Sequence, residues 1–159
     1  VPVLMSLPLN HLPYFKGHSE VCKIIIDKAE DKNPVLIGKS GNTALHFAVY
    51  GARYEACKIL LENIGADKNP RNVRGRTPFH MAVFEGGLAR SRLYTSGERQ
   101  AYLDICKLFI DILDDKHPVD NDGKTPKDKA LKNKDFEITR FPKRLKTKKQ
   151  QKNVRFYII

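Results

Sequence analysis

Apolar positions along the chain fall into two alternating blocks. The first reads GNTALHFAVY (41–50), GRTPFHMAVF (75–84) and GKTPKDKALK (123–132). A Gly-x-Thr entry precedes residues spaced for one helical face: Leu45, Ala48 and Val49, then Phe79, Ala82 and Val83. Thr followed by Pro78 or Pro126 is an N-cap and a first-turn proline, so a helix is predicted to start at each. The pair Gly86–Gly87 is expected to end one of these helices. The second block reads HSEVCKIII (18–26), RYEACKILL (53–61) and YLDICKLFI (102–110). In each, an acid stands two residues before a cysteine, Lys follows it, and three apolar residues come next. A second helix is predicted there, burying Ala56, Ile59 and Leu60 in one copy and Ile105, Leu108 and Phe109 in another. FEITRF (136–141) is a weaker fourth copy with Thr139 in place of the cysteine.

A third element recurs after each cysteine block: EDKNP (30–34), ADKNP (66–70) and DDKHP (114–118). Proline fixes φ, lacks an N–H and pushes its predecessor into an extended conformation, so this segment is a helix exit. The whole therefore repeats as helix, turn, helix and connector. Thr43 to Thr77 spans 34 residues and Thr77 to Thr125 spans 48. The longer unit holds 14 extra residues, LARSRLYTSGERQA (88–101), expected between its two helices on the edge away from the connectors. One such unit cannot bury its own apolar face, and stacking about three closes a core.

GRTPFHMAVFEGG and GADKNPRNVRGRTP resemble the ankyrin repeat, whose pattern is Gly-x-Thr-Pro-Leu-His followed by a second helix and Gly-Ala-Asp. The resemblance implies an all-α fold: an ankyrin-type α-solenoid of stacked helix–turn–helix repeats with β-turn fingers. It covers residues 8–141 as four units, at about 8–33, 41–70, 75–118 and 123–141, with a basic tail over 142–159. Thr43, His46, Thr77, Pro78, His80, Thr125 and Pro126 fall on the motif, and Cys22, Cys57 and Cys106 share one inward position. The family implies that the imidazoles of His46 and His80 link neighbouring turns, with His11 in the same slot of a degenerate first unit. Pro13 is expected to kink or shorten that unit's first helix. Ala44 stands where the family has Pro, and Lys127 and Asp128 replace Leu and His, as suits a polar end cap. Pro142 is expected to cut the last helix short.

Composition adds one asymmetry. The net charge is +11, yet residues 140–159 hold eight Lys/Arg and no acid, leaving 21 bases and 18 acids elsewhere. The body is nearly balanced and the tail is a separate basic segment. No stretch reaches the roughly 18 apolar residues that span a bilayer. The apolar opening lacks a basic leader and a small-residue cleavage site, so it is not read as a signal peptide. A chain that opens on Val is also compatible with a fragment. The location expected is cytoplasmic or nuclear, and the chain is expected to be monomeric.

Reactive residue types are present without a reactive pattern. Three cysteines spaced 35 and 49 residues apart match neither a disulfide framework nor a zinc site. His46 and His80 lie one repeat apart, with no nucleophile or acid partner at a fixed spacing. No phosphate-binding Gly-rich loop occurs. Neither catalysis nor a cofactor is expected.

Function is expected at variable positions over the constant frame: an adaptor that binds another protein through its concave face and fingers. Candidate contacts are Val35, Leu36 and Ile37 in the first finger, Arg71, Arg74 and Arg76 in the second, and Asp120 and Asp122 in the third. Arg90, Arg92, Tyr94 and Arg99 of the insertion are further candidates beside a neutral-insert reading. Lys143, Arg144, Lys146, Lys148, Lys149 and Lys152 form a patch suited to nuclear import or weak polyanion contact. The alternatives kept open are a nuclear or nucleic-acid-associated factor acting through that tail, and a targeting arm of a larger protein.

Overall fold

A computed structural model describes residues 40–65, 67–89 and 94–132. The expected first unit, Cys22, His11, Pro13, the first-finger residues Val35 to Ile37, Thr139, Pro142 and the basic tail lie outside the described residues. Among the described residues there are five helices: α1 (Ala44–Tyr50), α2 (Tyr54–Asn63), α3 (Pro78–Leu88), α4 (Ser96–Ile112) and α5 (Pro126–Lys132). α3 packs against α1, α4 and α5, while α2 packs against α1 and α4. Thr-started helices thus make one layer and cysteine-bearing helices the other, which is the stacked α-solenoid the repeat predicts.

The core lies between the layers. Leu45, Ala48 and Val49 of α1 meet Ala56, Cys57, Leu60 and Leu61 of α2, all fully buried. Phe79, Ala82 and Val83 of α3 meet Ile105, Cys106 and Phe109 of α4, with the Phe79 and Phe109 rings 5.7 Å apart and tilted. Leu108 is half-buried at the edge, whereas Leu103 and Tyr102, one turn earlier, are buried. Each fully buried Leu or Phe contributes about 2–3 kcal/mol of apolar burial. The two cysteines add small, snug apolar volume to the same layer.

Two expectations are corrected. Gly86–Gly87 does not end α3. The helix runs on to Leu88, and Ala89 N–H closes it on the Glu85 carbonyl at 2.8 Å. Nor does the whole insertion sit between helices. Its last residues, from Ser96, form the opening turns of α4, which is 17 residues long against 10 for α2. Thr95 is the reason. Its hydroxyl accepts the Glu98 N–H at 3.2 Å, and the Glu98 carboxylate accepts the Thr95 N–H at 2.8 Å. This reciprocal box satisfies orphan donors and starts the helix early.

The recurring Asp-Lys-Asn/His-Pro segment is an exit with a fixed bonding pattern. Lys68 Nζ donates to the Leu61 carbonyl at 2.5 Å, and Lys116 Nζ to the Leu113 carbonyl at 2.6 Å. Asp67 accepts the Asn69 N–H at 3.2 Å, and Asp115 accepts the His117 N–H at 2.8 Å. The lysine covers a carbonyl at the helix end and the aspartate folds the backbone two residues on.

Fingers then stack on one another. Val73 N–H donates to the Ser40 carbonyl (3.1 Å), and Asn121 N–H donates to the Arg74 carbonyl (3.1 Å). Asn72 Nδ2 reaches Asn42 (2.9 Å) and Asn121 Nδ2 reaches the Val73 carbonyl (3.0 Å). Gly75, at φ +67, is required at one tip: a Cβ there would lie 2.2 Å from Asn121 Oδ1.

Candidate functional site

The inner helices and the fingers enclose a groove of about 700 Å³. Its floor is built by a spacing of three residues on two successive helices: Phe47 and Tyr50 on α1, Met81 and Phe84 on α3. Residues i and i+3 share a helix face, so each helix gives the floor two apolar groups. Tyr50 is 51% exposed and Phe84 38%, although both are large apolar side chains. The finger wall is Ser40, Asn42, Asn72, Val73, Arg74 and Arg76, with Val73 61% exposed. His80, Glu85 and Lys129 complete the lining, and burial pushes the Glu85 carboxyl above its usual range.

His46 and His80 hold the wall in place. Nδ1 of His46 accepts the Thr43 N–H at 3.2 Å, and its Nε2 donates to the Arg76 carbonyl in the next finger at 3.0 Å. His80 repeats this with Thr77 at 3.2 Å and the Lys124 carbonyl at 2.9 Å. Both rings are therefore neutral with the proton on Nε2. Burial lowers the His46 pKa to about 4, against smaller upward pulls from the Arg76 carbonyl bond and Asp67. Burial lowers that of His80 too. Asp128 occupies the same position in the next unit. Its carboxylate accepts the Thr125 N–H (2.9 Å) and hydroxyl (2.7 Å), but being acceptor-only it has no proton to donate forward.

The finger charges divide into fasteners and available groups. Asp120 is buried, and its Oδ1 accepts the N–H groups of Asp122 (3.0 Å) and Lys124 (2.9 Å). Its Oδ2 lies 2.7 Å from Lys129 Nζ and 3.9 Å from Arg76 Nε. Burial pushes this carboxyl up, but Lys129 and the two amides outweigh it and hold the pKa at about 2. Asn72 does the same job in the preceding finger, accepting the Arg74 and Arg76 N–H groups at 3.0 Å each. Asp120 is thus a fastener inside the stack. Arg71 is a second fastener: its guanidinium donates to the Gly75 carbonyl at 3.2 Å and to the Val119 carbonyl of the next finger. Arg74 and Asp122 are exposed, and Arg76 is half-buried.

Of the insertion residues, Arg90 and Arg92 lie outside the described residues. Tyr94 packs edge-on against Tyr102 at 6.5 Å, and the Tyr102 hydroxyl donates to the Tyr50 carbonyl at 2.8 Å. The lengthened helix thereby braces the end of α1 beneath the groove floor. Tyr50, Met81, Phe84 and Glu85 were not among the expected contacts. Their signal was the repeated offset of Phe47/Tyr50 and Met81/Phe84 after each Thr. Among the described residues, no three His, Cys, Asp or Glu side chains converge as a metal site, and no helix is long and apolar enough to cross a membrane.

Residues 11–90 match the family described as ankyrin repeats, in three copies. Protein phosphatase 1 regulatory subunit 12A of Mus musculus is 36% identical over 72 residues, 45% of this chain and 7% of that protein. Protein phosphatase 1 regulatory subunit 27 of Homo sapiens is 33% identical over 92 residues, 58% of this chain and 49% of that protein. Target of rapamycin complex 2 subunit AVO2 of Saccharomyces cerevisiae is 24% identical over 116 residues, 73% of this chain and 24% of that protein. The chain thus spans less than half the length of each of these relatives. The described repeat geometry continues past residue 90, through α4, the Asp120 finger and α5.

Proposed function

The chain belongs to the ankyrin-repeat family, and we propose that it acts without catalysis, presenting the groove between its inner helices and fingers to a partner protein. The single observation that carries this is the exposed aromatic floor. Tyr50 and Phe84 face a concavity instead of the core, and large aromatics in a desolvated pocket dominate binding energy. The wall around them is preformed by the finger ladder and the two histidine links, so little ordering cost falls on binding. Two of the relatives are named as regulatory subunits of a phosphatase and one as a subunit of Target of rapamycin complex 2, which fits an accessory role in an assembly.

The test is a double substitution, Tyr50→Ser with Phe84→Ser. Both side chains are only partly exposed, so each substitution is expected to cost about 1–2 kcal/mol, and a retained helical circular-dichroism spectrum shows that the variant stays folded. Proteins retained by the wild-type chain in quantitative affinity capture should be lost by the variant. An identical set retained by both would remove the groove from consideration.

A further inference from the structure

The two walls of the groove differ in chemistry. The helix side is apolar: Phe47, Tyr50, Met81 and Phe84. The finger side carries Arg74 and Arg76. Arg74 is exposed and its guanidinium has no bond among the described residues. Arg76 is half-buried, and its Nε, sealed from solvent, faces the Asp120 carboxylate at 3.9 Å. A carboxylate is the group that satisfies an exposed guanidinium best. Lys129 is different, because Asp120 and Asp122 already face it at 2.7 and 3.9 Å.

We propose, resting on the reading of this groove as the partner surface, that its occupant is an extended acidic segment of another protein. An aromatic or aliphatic side chain of that segment sits on Tyr50 and Phe84, and a carboxylate pairs with Arg74 and Arg76. Charge and the apolar floor decide against other occupants. The chain's own residues 140–159, or those of a second copy, hold eight Lys/Arg and no acid, and meet the arginine wall with like charge. A nucleic-acid backbone has no use for an apolar floor of this extent. A smaller hollow of about 300 Å³ adjoins the same two arginines on the finger side, but Asp122 lines it, so the carboxylate belongs in the larger groove.

The full chain is used to select from a library of random linear peptides, and the winning peptide is titrated by fluorescence anisotropy. Enriched peptides should pair Asp or Glu with a nearby aromatic or aliphatic residue. Arg74→Glu should weaken the winner about tenfold, with the loss shrinking as salt rises. Phe84→Ser should weaken it about tenfold or more, with little salt dependence. Replacing the peptide's acids by their amides should cost about tenfold against wild type and should recover affinity against Arg74→Glu, where the acids meet a like charge. Neutral or basic winners that ignore Arg74→Glu yet fail on Phe84→Ser overturn the acidic partner while leaving the groove as a binding surface. Winners indifferent to both substitutions overturn both readings. Failure to enrich any peptide over a Phe84→Ser control overturns the proposal, as does an oligothymidylate that binds as tightly as the winner and competes with it.

Discussion

His46 is a polar residue at a position that burial would normally reserve for a leucine. It stays because each ring nitrogen has a fixed job: Nδ1 accepts from Thr43, and Nε2 donates across the repeat boundary to Arg76. Protonation would place a second ring donor against the Thr43 N–H and charge a fully buried group, which is why its pKa falls to about 4. The unfolded chain binds that proton near pH 6.5. Stability from this histidine is therefore complete above about pH 6.5 and is lost as pH falls toward 4. His80 is shifted in the same direction. Between pH 7.5 and 4.5 the unfolding free energy should drop by roughly 2 kcal/mol per fully shifted ring. Asp120 stays out of that window, since its carboxyl is held at about 2. Urea unfolding at a series of pH values, with an NMR titration of the His46 ring, checks this. A ring midpoint near 6.5 would show that the link between repeats is not made by neutral imidazole.

At the scale of elements, α4 shows how a local signal overrides a repeat. Its early start depends on the box between Thr95 and Glu98. Thr95→Ala should cost about 1 kcal/mol, felt as faster amide exchange in the residues just after Ser96 and a small loss of Tm. Unchanged exchange there would mean that packing of Tyr102, not the cap, sets the helix start. The sequence TSGE has the form of a capping box, but alignment to the shorter unit assigned those residues to the insertion between the two helices. The other helix starts were legible because Thr-Pro and Gly-x-Thr act within one turn of chain. The core was legible for a related reason, since Leu45 and Phe79 recur two residues after Thr, and Cys57 and Cys106 recur at one place in their own block. The groove was less so. Periodicity places Tyr50 and Phe84 on a helix face but does not say where the neighbouring helix stops covering it. Likewise the letters of Arg71 and Asp120 give charge, whereas their roles follow from carbonyls and amides of a finger 48 residues away or of their own turn.

Over the whole molecule the links form a one-dimensional series. Each finger bonds to the next, and each Thr-His pair donates one repeat forward. In such an array stability is the sum of unit terms and nearest-neighbour interfaces, so units with a neighbour on each side are held best. α3 is packed on three sides by α1, α4 and α5. α5 differs: of its seven residues only Pro126 and Ala130 are buried, Leu131 is 49% exposed, and Asp128 forms its cap with no forward link among the described residues. Native-state hydrogen exchange should therefore give a gradient. Amides of α3 and the cysteine-bearing half of α4 should open only with global unfolding, while those of α5 should open at a free energy several kcal/mol lower. The groove rim draws on both regions, because Lys129 on α5 steadies Asp120 in the finger that follows Arg76. Lys129→Met would then lower protection in the third finger as well as in α5 and leave the core of α3 unchanged. Equal protection of α5 and α3 would show instead that the described array opens as one cooperative block.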